Sequence, residues 1–154
     1  MEYLIVKWIH VVSSTILFGT GIGSAFYLLV ASLRGDARAV HFVSRHVVIA
    51  DWMFTTPAIV VQPLTGFYLA HLAHFAWTSR WLLWSIVLYL VAGLCWLPVV
   101  WLQLRMRDLA RDADAAGSPL PDAYRRYFRW WFALGIPAFL ALVVVFYLMV
   151  SKIV

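Results

Sequence analysis

A chain of 154 residues that is 64% hydrophobic and only 12% charged has more apolar surface than a soluble core of that size can hide, so it reads as an integral membrane protein. The net charge of +5 would suit a nucleic-acid partner, but the basic residues fall between apolar runs and form no patch on a soluble face, so none is expected. A single cysteine, Cys95, excludes a disulfide framework and a cysteine-based metal motif.

Four apolar runs, roughly residues 3–31, 47–72, 81–104 and 128–151, each reach the ~20 residues a helix needs to cross the hydrocarbon core. None shows the short polar alternation of a barrel strand. The expected fold class is all-α: one domain, residues 1–154, forming an integral membrane four-helix antiparallel bundle in the lipid bilayer. Arg34, Arg38, Arg45, Arg105, Arg107, Arg111, Arg125, Arg126 and Arg129 lie in or beside the two connections on one side, against Lys7, Arg80 and Lys152 on the other. The excess puts those connections in the cytoplasm and turns both termini outward. Trp8, Trp77, Trp81 and Trp84 then form an outer interfacial belt, and Trp52, Trp101, Trp130 and Trp131 an inner one.

The first run is too long for a signal-peptide core and has no basic segment ahead of it, so it is expected to be retained. It carries His10 in an otherwise apolar helix, about two turns inside the outer boundary, where an ionisable side chain is costly and marks a candidate site. Steps of three and four from His10 align Ser13, Ser14, Leu17, Gly21 and Ser24 on a narrow face. Gly19, Gly21 and Gly23 offer a surface for a homodimer. Gly35-Asp36 signals a turn, and His41 and His46 beyond it read as solvated.

The second run opens at Asp51, which is expected to pair with Arg45 or to cap a helix, with a proton-relay role as the minority reading. Pro57 and Pro63 interrupt its backbone ladder and leave carbonyls for neighbours to satisfy. Thr55, Ile59, Gln62, Thr65 and Leu69 make a polar stripe that should face protein or ligand, although interhelical hydrogen bonding alone would account for it. His71 and His74 could supply a further metal ligand, or are plain interfacial side chains.

The third run stays helical as it becomes charged, so it projects beyond the membrane until Gly117-Ser-Pro-Leu-Pro121 breaks it. Asp122 is expected to N-cap the last helix, and Pro137 to bend it. At the depth of His10 the other spans offer Gln62 and Thr65, Ser85 and Tyr89, and Tyr147 and Met149. A neutral imidazole in an apolar, aromatic-rich bundle is a usual axial ligand for haem b. The candidate cofactor-binding residues are His10, Ser14, Gln62, Thr65, Ser85 and Met149, with His10 and His71 as candidate metal ligands. No nucleophile triad, phosphate loop or paired carboxylates appear, which argues against hydrolytic and nucleotide-dependent chemistry.

The opening Lys7-Trp-Ile-His10, the Phe54-Thr-Thr-Pro57 segment with Gly66, and the Trp81-Leu start of the third run leading to Arg105-Met-Arg resemble the small bacterial HemJ-type protoporphyrinogen IX oxidases, within a broader membrane superfamily that includes copper-resistance (CopD-like) proteins. In Asp51-Trp-Met-Phe-Thr-Thr-Pro and Gln62-Pro-Leu-Thr-Gly the chain more closely resembles a related family of predicted integral membrane proteins. The resemblance implies a multi-pass protein of the bacterial inner (cytoplasmic) membrane that binds haem b through His10 and exchanges electrons with a tetrapyrrole or a quinone. Ser85 stands where HemJ-type chains carry a lysine, which removes a partner for a porphyrin propionate and counts against the oxidase activity itself. No Met/His-rich cluster supports the copper-resistance reading. The alternative is a non-enzymatic accessory subunit or a small-molecule or metal carrier.

Overall fold

The computed structural model describes residues 1–152, so Ile153 and Val154, which end the predicted domain, lie outside the described residues. The first helix, α1, runs Glu2–Arg34 and ends on Gly35, whose φ of 74° only glycine adopts freely. Asp36 then caps α2 (Ala37–Ala50) by accepting the Arg38 backbone N–H at 3.1 Å, as the Gly-Asp signal predicts. A π-helical turn, Asp51–Thr55, joins α2 to α3 (Thr56–Leu72). The long α4 (Arg80–Ala115) and α5 (Asp122–Ser151) complete the chain.

Four continuous helical segments are thus long and apolar enough to cross a membrane: α1, α2 through α3, α4 and α5. The 36 residues of α4 extend over roughly 54 Å at ~1.5 Å per residue, well beyond a hydrocarbon core of ~30 Å. Part of the helix must stand in water, and this decides where the core forms. Leu28, Val40, Met106 and Ala110 are fully buried and Tyr124 nearly so, all at the arginine-rich end, where α2 lies against the projecting part of α4 and the start of α5 docks beside them. Water exclusion drives such burial outside the bilayer, whereas among lipid tails that drive is absent and helices meet through small residues and hydrogen bonds. A smaller cluster of Ala70, Trp81 and Leu82 closes the opposite end.

Several expectations need correction. Asp122 is the first residue of α5 and not its cap; Pro121, in extended geometry, holds the cap position. His41 is not solvated: its Nδ1 lies 2.9 Å from Asp114 Oδ2, which ties α2 to the end of α4. His46 is exposed as expected. Trp81 and Trp131 turn into the protein, and the belts are left to the other six of their eight tryptophans, which are exposed.

An even number of spans brings both ends of the chain to one side, and the arginine excess puts that side outside the cytoplasm. A reporter active only outside the cytoplasm should therefore give signal when fused after Lys152 and none after Gly117. The reverse pattern would place His10 in the cytoplasmic half.

Candidate functional site

Gly66 is what lets α1 and α3 meet at His10. A Cβ on Gly66 would stand 3.3 Å from His10 Cε1, tighter than ordinary van der Waals contact, so the imidazole rests against bare backbone. Thr65, the preceding residue, places its Oγ1 2.8 Å from His10 Nδ1. The same hydroxyl donates to the Val61 carbonyl at 2.7 Å, one turn back on α3. A carbonyl can only accept, so the threonine proton is committed there and the ring must donate to the threonine oxygen. With the hydroxyl proton on Val61, the arrangement suits the neutral tautomer that carries its proton on Nδ1, and no described residue hydrogen-bonds Nε2.

Below the ring, the buried Gln62 uses its amide nitrogen twice, donating to the His10 carbonyl at 2.7 Å and to Ser13 Oγ at 2.5 Å. Ser13 in turn donates to the His10 carbonyl at 3.1 Å. His10 is thus held from both ends, its backbone by Gln62 and Ser13 and its ring by Thr65 and Gly66. An apolar groove of about 260 Å³ borders the same turn of α1, lined by Ile9, Val12, Ser13 and, across from them, Phe54, Pro57 and Val61.

The prolines act as expected in one place with a clear partner. Pro63 has no N–H for the Ile59 carbonyl four residues back, and Tyr89 from α4 donates its hydroxyl there at 2.7 Å. Between α1 and α5, Phe18 stacks on Phe139 at 5.2 Å and meets the edge of Phe146 at 5.3 Å, making an aromatic wall two turns deeper than His10.

The structure brings His10, Gln62 and Thr65 together and gives the other candidates different partners. Ser14 bonds back to the Val11 carbonyl of its own helix at 2.7 Å. Ser85 is buried and donates to the Trp81 carbonyl at 2.7 Å, so neither charge nor free hydroxyl stands at the position of the missing lysine. Met149 packs against the Trp81 and Leu82 cluster. Tyr147, expected to face the bundle, is 64% exposed. His71 and His74 are both exposed at the end of α3, and no group of three or more potential metal-ligating residues occurs among the described residues. The sequence reading missed the roles of Ser13 and Gly66: Ser13, three residues from His10, was within reach of helical spacing, whereas the approach of Gly66 from α3 was not.

No curated protein and no solved structure matches the chain. The model of the family described as predicted integral membrane protein (DUF2269) matches residues 4–153, nearly the whole sequence, which bears out the second of the two resemblances and leaves the HemJ-type one as a basis for proposal only. The chain belongs to the DUF2269 family of integral membrane proteins.

Proposed function

We propose that this chain is a haem-b-binding protein of the bacterial inner membrane, with His10 Nε2 as an axial ligand and electron transfer to or from a quinone or tetrapyrrole as its role. The observation that supports this most is the bond between His10 Nδ1 and the Thr65 hydroxyl. A ligating histidine needs its second ring nitrogen protonated and bonded, and the Thr65 hydroxyl, itself anchored on Val61, accepts that proton's hydrogen bond. Apolar surface also lies on the adjoining face of α1, in the groove lined by Ile9, Val12, Pro57 and Val61, although His10 itself does not line it. When bound, haem b would supply a one-electron carrier, and the protein's part would be to ligate, orient and keep water away. The oxidase activity of HemJ-type proteins is not part of the proposal, because Ser85 offers nothing to a propionate.

Protein purified in mild detergent from haem-replete cells should be coloured, with a Soret band and sharp visible bands on reduction. A colourless preparation that gains no such bands when hemin is added would overturn the reading in favour of an accessory subunit or a carrier.

A further inference from the structure

Asp51 is a carboxylate without a counter-charge. It is only 7% exposed, it lies on a segment that enters the membrane, and it forms no ion pair among the described residues. Arg45, its expected partner, is exposed. Nor is Asp51 an N-cap: it follows directly on α2 and opens the π-helical turn in mid-helix. Its surroundings are neutral: Thr55 donates its hydroxyl at 2.9 Å, and the side-chain amide of the buried Gln103 on α4 neighbours the same carboxylate. An isolated buried carboxylate is far too costly to persist on such support alone, and it is expected to hold a cation or a proton.

The backbone favours the cation. In the turn the Thr56 N–H bonds the Asp51 carbonyl five residues back, so the regular ladder is broken here. Pro57 follows with no N–H, which deprives the Met53 carbonyl of its ordinary donor. Carboxylate, hydroxyl, amide and loosened backbone carbonyls at a helix discontinuity are the oxygen set that holds small monovalent cations within membranes. We propose that Asp51, Thr55 and Gln103, with carbonyls of the π-helical turn, form a binding site for a small monovalent cation of the sodium class. The site is independent of His10, which lies beside Thr65 and Gly66 toward the other end of α3.

The test uses the full-length protein in detergent, unfolded by heat and followed by its tryptophan fluorescence. At constant ionic strength, replacing choline chloride with NaCl should raise the Tm saturably, by roughly 5 °C at saturation, because the cation binds only the folded chain. Asp51→Asn should lose that rise while keeping the helical circular dichroism of the wild type. If Asp51→Asn fails to fold, Gln103→Leu serves in its place and should need several-fold more sodium for the same rise. Equal Tm values in choline and sodium for the wild type would overturn the proposal and leave Asp51 a buried neutral acid. A sodium response kept in full by the folded variant would overturn it too. Neither readout depends on whether haem is bound.

Discussion

His10→Ala is expected to abolish haem binding outright: the detergent-purified variant should show no Soret band while its helical circular dichroism matches that of the wild type. On the proposed assignment the substitution removes the iron's coordinate bond, and from the fold it takes only the ring's contacts with Thr65 and Gly66. The helix keeps its backbone contacts, because Gln62 and Ser13 hold the carbonyl of residue 10 and not its ring. Two neighbours grade the effect. Thr65→Val takes away the acceptor for Nδ1–H and should weaken haem binding by about 10- to 100-fold without eliminating it, the usual cost of losing a ligand's supporting hydrogen bond. Gly66→Val puts branched carbon where the first added atom already meets Cε1 at 3.3 Å, so the ring must swing off Thr65 and binding should fall further than in Thr65→Val. A His10→Ala protein that still carries haem would sink the site assignment.

The largest stability loss is expected at Tyr124, far from that site. The side chain is 2% exposed, and its hydroxyl lies 2.6 Å from Ser32 Oγ, linking the first turn of α5 to the last turns of α1. Truncation to alanine empties a cavity the size of the ring in the most completely buried part of the molecule, at a cost of about 3–5 kcal/mol. Tyr124→Phe keeps the ring and loses only the hydrogen bond, about 1 kcal/mol, so packing and not polarity should dominate. Thermal unfolding in detergent should rank the wild type above Tyr124→Phe and both well above Tyr124→Ala. Tyr147→Ala, at an exposed position on the same helix, should change the Tm little. Equal losses for Tyr124→Phe and Tyr124→Ala would mean that the hydrogen bond, and not the buried ring, holds α5 to α1.

The sequence by itself determined the number of spans, their approximate limits and the length of α4, because those follow from runs of apolar residues measured against the thickness of a bilayer. The Gly35-Asp36 turn and the break at Gly117 were legible too, since a positive φ and a cap are local demands made on single residues. The stripe through Gln62 and Thr65 was also visible, as it needs nothing beyond helical spacing. Only the tertiary structure decided which face of each helix met which neighbour. Ser85 and Met149 share a depth with His10, but depth leaves open what each side chain meets: Met149 packs against the Trp81 and Leu82 cluster, and Ser85 bonds back to a carbonyl of its own helix. Pairing across helices was likewise beyond the sequence: His41 found Asp114 on α4, and Asp51 was left without Arg45. The approach of Gly66 to His10 belongs to the same class, because a glycine announces that something can come close and only the packed bundle says what does.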